Sequence, residues 1–120
     1  MATFTKKILS GSTDGKAIKV AATATAGTTI HTGSTTATTL DEVWIYAMNT
    51  STTNTKLTIE YGGTSSPDDL IEVTVLAEAG LVCITPGLVL KGNASALVVR
   101  AFAATANVIT IHGFVNQITV

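Results

Sequence analysis

Residues 42–63, "EVWIYAMNTSTTNTKLTIEYGG", predict two β-strands joined by a turn rich in Thr, Ser and Asn. In the second strand, the apolar residues Leu57, Ile59 and Tyr61 alternate with polar ones, which is the period-two pattern of a half-buried strand. We expect the two strands to form a hairpin. Its second strand should have one face on the core and the other in water.

The first strand of this pair is apolar on both faces. Trp44, Tyr46 and Met48 share one side, and smaller aliphatic residues alternate with them on the other. A strand that is apolar on both faces needs a cover on both. We predict that the core is one cover. For the other we rank a second subunit first, the N-terminal segment second, and a ligand such as a sugar on Trp44 third.

The same alternation recurs along the chain, with turn-forming clusters at spacings of about 8 to 12 residues. This pattern predicts an all-β fold, an antiparallel β-sandwich that is jelly-roll-like, and no segment predicts an amphipathic helix. Pro67 and Pro86 are expected in turns, and the last strand is expected to break at Gly113. Strands are predicted near residues 3–9, 16–22, 28–31, 40–49, 55–61, 70–76, 81–85, 88–91, 96–103 and 108–120.

A chain of 120 residues fits one domain, within which the large apolar residues are unevenly distributed. Most of them follow residue 40, so we predict a β-sandwich core in residues 40–120. Residues 1–39, which are rich in Thr, Ala and Gly, are predicted to form an extended N-terminal arm or peripheral strands. This arm is expected to lie on the sandwich or on a neighbouring subunit.

The composition argues against several classes of function. The formal net charge of −1 gives no field to attract nucleic acid, so we expect no nucleic-acid partner. No apolar run approaches the roughly 18 residues of a membrane-spanning helix, and the N-terminus lacks the apolar core of a signal peptide. Only 12% of residues are charged, and 23 Thr residues supply much of the polar surface, as suits β-strands.

Few side chains could carry chemistry. His31, His112 and the single Cys83 do not make a zinc set. We interpret His112 as a residue of the core edge or an interface, and Cys83 as a small buried hydrophobe. No nucleophile, phosphate-binding or metalloprotease motif is present. We therefore predict no enzymatic activity, no metal and no cofactor.

One acidic cluster leaves two alternatives open. Asp68, Asp69 and Glu72 could bind calcium, or serve as the carboxylates of a small hydrolase. Acids at the entry to a strand are more typical of a solvated turn, which is the interpretation that we favour.

Residues 43–118 resemble small structural proteins of tailed-bacteriophage virions. The resemblance lies in the Trp44-x-Tyr46 strand before its Thr-rich turn, in "LTIEYGGTSSPDDLIE", and in the ending "LVVRAFAATANVITIHGFVNQI". The chain looks like a head decoration, or cement, protein. Such a likeness implies a small β-sandwich that binds the major capsid protein as a homo-oligomer, on the virion surface, after assembly in the host cytoplasm.

These considerations lead to specific expectations about contacts. We expect a trimer rather than a dimer, because capsid lattices offer threefold sites. Trp44, Tyr46 and Met48 are predicted to contact a neighbouring subunit. The arm residues Phe4, Lys6 and Ile8 are predicted to contact the capsid.

The alternative function is a carbohydrate- or receptor-binding module of a phage tail or fibre. In that alternative, Trp44 and Tyr61 would be the stacking surfaces for a ligand.

Overall fold

The computed structural model describes residues 2–119, and within them the chain is all-β. Met1 and Val120, the outer ends of the two predicted regions, lie outside the described residues. No helix in this part of the chain could cross a membrane. The strands are β1 (Thr3–Ile8), β2 (Ile18–Lys19), β3 (Thr28–Thr32), β4 (Thr39–Asn49), β5 (Thr55–Tyr61), β6 (Leu70–Val75), β7 (Val82–Lys91), β8 (Val98–Ala103) and β9 (Ile109–Thr119).

The strands form two packed sheets in which every paired strand is antiparallel. Sheet A has the order β1-β9-β4-β7, and the short β2 also pairs with β9. Sheet B has the order β3-β8-β5-β6. The predicted antiparallel β-sandwich is thus confirmed.

Residues 42–63 form an arch between the two sheets, so the predicted hairpin is wrong. β4 lies in sheet A and β5 lies in sheet B. Both edges of β4 are already occupied, by β7 and by β9, so β5 cannot pair with it. Instead the two strands meet across the core through inward residues such as Ile45 and Ile59, both fully buried.

The core draws on the whole chain and is not confined to residues 40–120. Four residues before position 40 belong to it, which makes the N-terminal third part of the sandwich. Three of them lie outside the long strands, so alternation alone does not reveal them. The buried apolar residues are Leu9, Ile18, Val20, Ile30, Val43, Ile45, Ala47, Leu57, Ile59, Val75, Leu90, Val99, Ala101, Ala103, Ile109, Ile111 and Val115.

Two strands continue through residues at which we predicted breaks. β7 contains Pro86, and the register with β4 shifts at this point, where Gly87 adopts a φ of 77°. An edge strand tolerates proline at a bulge, because the missing N–H costs no hydrogen bond. β9 also runs unbroken through Gly113, whose lack of a side chain lets the Trp44 carbonyl oxygen of β4 approach closely.

Residues 22–27, which we call the strap, lie against the outer side of sheet B. The Ala103 amide donates a hydrogen bond to the Ala22 carbonyl oxygen at 3.1 Å. Thr25 Oγ1 and the Gly27 amide donate to the two oxygens of Glu60, at 2.5 and 2.7 Å. These bonds satisfy both oxygens of a carboxyl group that is 0% exposed, as burial of a polar group requires.

The strap overturns part of the prediction for β5. Thr58 and Glu60 were expected on a face in water, and both are buried. Lys56 on the same side remains exposed.

Candidate functional site

The outer surface of sheet A carries the residues of the two predicted contact sets. Along β4, buried residues alternate with half-buried ones, and Trp44, Tyr46 and Met48 are on the half-buried side. The inner side holds the core residues Val43 and Ile45. The alternation predicted from the sequence is therefore present in the structure.

Strand β1 widens this surface instead of covering it. Across the sheet, Ile8 is opposite Phe114, and Phe114 is opposite Trp44. Lys6 is likewise opposite Asn116 in β9. Directly opposite residues of a sheet share a face, so the predicted subunit contacts and the predicted capsid contacts form one continuous surface.

We call this surface the outer face. It consists of Phe4, Lys6 and Ile8 of β1, Lys19 of β2, Leu40, Glu42, Trp44, Tyr46 and Met48 of β4, Cys83, Pro86, Val89 and Lys91 of β7, and Thr110, His112, Phe114, Asn116 and Ile118 of β9.

An aromatic stack crosses the centre of the outer face. The Trp44 and Phe114 rings are nearly parallel, at an interplanar angle of 10°, with their centroids 5.8 Å apart. Lys6 Nζ lies 4.6 Å from the Phe114 centroid, a cation–π contact. On the side of β7, the indole lies so close to Gly87 that a Cβ there would be 3.0 Å from two ring carbons. The order Lys6, Phe114, Trp44, Gly87 follows the strand order of the sheet.

Glu42 fixes the orientation of the stack. Its Oε1 accepts hydrogen bonds from Trp44 Nε1 at 2.7 Å and from Asn116 Nδ2 at 3.0 Å. These two donors, Asn116 first, lower the pKa of Glu42 below its ordinary value. The one carboxylate on the outer face is therefore ionised at neutral pH and already has partners within the chain.

The edge strands of the outer face carry apolar side chains that are open to solvent. Phe4 is 73% exposed, Val89 is 53% exposed and Ile8 is 49% exposed. They lie on β1 and β7, the two edge strands of sheet A. Large apolar side chains at both edges of an aromatic surface are typical of a protein contact site.

Apart from the outer face, a polar cluster joins the two sheets at one end of the sandwich. His31 Nδ1 accepts a hydrogen bond from the Ser10 amide at 3.1 Å, so the ring proton is on Nε2. His31 Nε2 then donates to Asp41 Oδ2 at 2.7 Å, and Gln117 Nε2 donates to Asp41 Oδ1 at 3.0 Å. His31 and Asp41 are buried beside a polar cleft of about 430 Å³.

This cluster contains Ser, His and Asp, yet its hydrogen bonds do not make a catalytic triad. A general base needs a free lone pair within reach of the proton that it removes. The Nδ1 lone pair of His31 is occupied by the Ser10 amide, while Ser10 Oγ accepts from the Thr32 amide at 2.6 Å. The arrangement holds four segments of chain together, through Ser10, His31, Asp41 and Gln117, and leaves His31 without a free lone pair.

Sequence reasoning missed this buried pair, although one signal for it was present. Asp41 has the same parity in β4 as the inward residues Val43 and Ile45, so alternation places a carboxylate inside. Such a group needs a buried donor, and His31 is the histidine of the strand that lies across from it.

The other candidate residues are dispersed. Glu72 forms an exposed ion pair with Lys56 at 2.8 Å, and Asp69 Oδ2 accepts from the Ser65 amide at 3.0 Å. Within residues 2–119, His, Cys, Asp and Glu form no group of three or more that could hold a metal ion. The two acids therefore serve separate local contacts.

Two other residues of the outer face, Cys83 and His112, were also considered from the sequence. Cys83 is exposed, so its prediction as a buried hydrophobe is wrong; it lies on the edge strand β7, opposite the outward-facing Tyr46. His112 is half-buried on the outer face, also opposite Tyr46, and its place at an interface stays a prediction.

Tyr61 does not share a platform with Trp44. It belongs to β5 of sheet B, packs against the core, and donates its hydroxyl to the Leu88 carbonyl oxygen at 2.8 Å. Burial, with a further contribution from the charge of Asp41, raises the pKa of Tyr61 above its ordinary value.

The chain matches no protein-family model, no curated protein and no solved structure.

Proposed function

We propose that this chain is a virion structural protein of a tailed bacteriophage, a head decoration protein that binds the outer capsid surface and stabilises the head. The observation that carries the proposal is the outer face, a broad aromatic and apolar surface with exposed edges at Phe4 and Val89. Binding by such a surface requires shape complementarity and desolvation, and needs no reactive side chain. The resemblance of residues 43–118 to small virion proteins supports the same assignment.

The strand order also supports a virion role. With β2 set aside, the eight remaining strands have the orders β1-β9-β4-β7 and β3-β8-β5-β6. Every connection among them crosses between the sheets except the one from β5 to β6. We interpret this winding as a jelly roll, an architecture that viral capsid and lectin domains use. Fold alone assigns no function, so this is support by analogy.

The proposed partner is the major capsid protein, and the proposed assembly is a homo-trimer at threefold sites of the lattice. Many copies on one lattice give multivalent binding, which offsets weak contacts of each single copy. The protein would assemble on the head in the host cytoplasm and remain on the virion surface.

The test compares the stability of heads with and without the chain. Heads from a deletion phage are heated in steps, and DNA release is followed with an intercalating dye. We expect release at a lower temperature than from wild-type heads, and recovery after purified chain is added back. Equal release temperatures for the three samples would rule out the stabilising role.

The alternative, a carbohydrate- or receptor-binding module, has weaker support. A sugar would need a free aromatic face, whereas Trp44 lies between Phe114 and Gly87, and Tyr61 is in the other sheet. Binding on a glycan array that disappears in Trp44→Ala, with the fold retained, would favour this alternative.

A further inference from the structure

Resting on the proposed function, we infer the chemistry of the partner surface: the outer face docks on an apolar patch of the capsid subunit that is ringed by carboxylates. The inference comes from the charges of the outer face and from where they lie relative to its aromatic centre.

Three lysines lie at the margins of the outer face. Lys6 is opposite Asn116, Lys19 is opposite Thr110, and Lys91 is opposite Leu40. Each is exposed and belongs to β1, β2 or β7, whereas the aromatic stack occupies the central strands β4 and β9. A cationic rim around an apolar centre has the anatomy of a protein-binding site, with contact energy at the centre and charge at the edge.

The single acid on the outer face does not neutralise the charge of the three lysines. Glu42 lies near the centre, and its Oε1 is shared by Trp44 and Asn116. Three lysines and one glutamate give the outer face a formal charge of +3 − 1 = +2. Since the whole chain carries −1, the remainder carries −1 − 2 = −3.

This charge distribution argues against a second copy as the face-to-face occupant. A twofold contact would set one cationic rim against another, and juxtaposed like charges weaken an interface. Of the acids elsewhere, Asp41 and Glu60 are buried and engaged by their own partners, so they cannot complement a neighbouring copy. The exposed acids of the chain, such as Glu72 and Glu78, lie outside the outer face, so a face-to-face copy would not bring them to the lysines. We therefore assign the complementary carboxylates to a different protein.

Nucleic acid would complement the three lysines of the outer face but not its exposed apolar side chains. Phosphates would pair with lysines, yet they would leave Phe4, Ile8 and Val89 against a polar backbone. An apolar protein patch desolvates these side chains and also supplies carboxylates.

The experiment measures binding of the purified chain to heads of the deletion phage at 50 mM to 1 M NaCl. The chain is left unlabelled and followed by co-sedimentation, because Cys83 lies on the outer face and a label there would obstruct the contact. The test variants are Lys91→Glu and the double Lys19→Glu/Lys91→Glu. The matched control is Lys56→Glu, an exposed lysine of sheet B that makes the same change in charge.

We expect Lys91→Glu to weaken binding about tenfold at low salt and the double variant to weaken it further, while Lys56→Glu stays near wild type. The differences should shrink toward 1 M NaCl, where the screening length falls to about 3 Å. Wild-type affinity should fall with salt but persist, because the apolar centre is not screened.

Each other outcome overturns the inference in a distinguishable way. Binding to heads that is insensitive to salt and equal in all variants would show that the partner surface is not ringed by carboxylates, while the proposed decoration role would remain supported. Binding to duplex DNA that is as tight as binding to heads makes the partner nucleic acid. If wild type binds heads at no salt concentration, the proposed function itself fails, and this inference with it.

Discussion

Replacing Asp41 with alanine should destabilise the fold by about 3 kcal/mol, because the carboxylate completes a buried hydrogen-bond chain. Asp41 is 1% exposed and accepts from His31 at 2.7 Å and from Gln117 at 3.0 Å. In Asp41→Ala the buried His31 Nε2–H loses its acceptor, which costs about 1 to 3 kcal/mol, and the charge-assisted bonds are lost as well.

Asparagine at the same position is the informative comparison. Asp41→Asn keeps an oxygen for His31, and the half-exposed Gln117 amide can turn its own oxygen toward the new NH₂ group. We expect a loss of about 1 kcal/mol, which is the difference between a charged and a neutral hydrogen bond.

Urea unfolding followed by the fluorescence of Trp44, the chain's single tryptophan, measures both variants. At an unchanged slope, Asp41→Ala should lower the midpoint by roughly 1 to 2 M, and Asp41→Asn by far less. Equal midpoints for the two variants, or a loss below about 0.5 kcal/mol in Asp41→Ala, would refute the assignment of this pair as a structural element.

Three further predictions concern other parts of the fold. Gly113→Ala places a Cβ against the Trp44 carbonyl oxygen and should lower the free energy of unfolding, measured by thermal unfolding, by about 3 kcal/mol or more. Gly80→Ala has open space around it and should lower that free energy by only about 1 kcal/mol, through left-handed backbone strain. Equal losses in the two variants would contradict the close approach at Gly113. Thr25→Val removes a donor to Glu60 and should speed hydrogen exchange at the Gly27 amide; unchanged protection would mean that this bond does not hold the strap. The pKa of Tyr61 is raised in the folded state, so its contribution to the free energy of unfolding is fully present below the unfolded pKa of about 10 and is lost as pH rises above it. Tyr61→Phe should make this decline in stability at alkaline pH less steep. A decline as steep as in wild type would contradict the raised pKa.

Local patterns in the sequence were enough to place most of the strands and to tell the two faces of β4 apart. The alternation of large and small apolar residues around Trp44 gave both faces of β4 correctly, since side-chain direction in a strand depends only on parity. The same parity rule placed Tyr46 and Met48 together on the surface.

Long-range pairing was beyond these patterns. After β4 the chain could form a hairpin with β5 or cross to the other sheet, and the outcome depends on β7 and β9, which occupy both edges of β4. Both strands come 33 or more residues further along the chain. Glu60 was predicted to lie in water because its cover, the strap, comes from a segment without strand periodicity. Cys83 was misplaced because apolar neighbours do not reveal whether a strand lies at an edge.

The central claim, that the chain decorates the head through its outer face, is tested most directly by its copy number per virion, measured by quantitative mass spectrometry. Wild-type virions should carry on the order of hundreds of copies, as a lattice of equivalent sites implies. Virions made with the folded double variant Phe4→Glu/Val89→Glu, which changes only strongly exposed side chains of the outer face, should carry almost none. About a dozen copies or fewer in wild type, or equal numbers in both, would contradict the account.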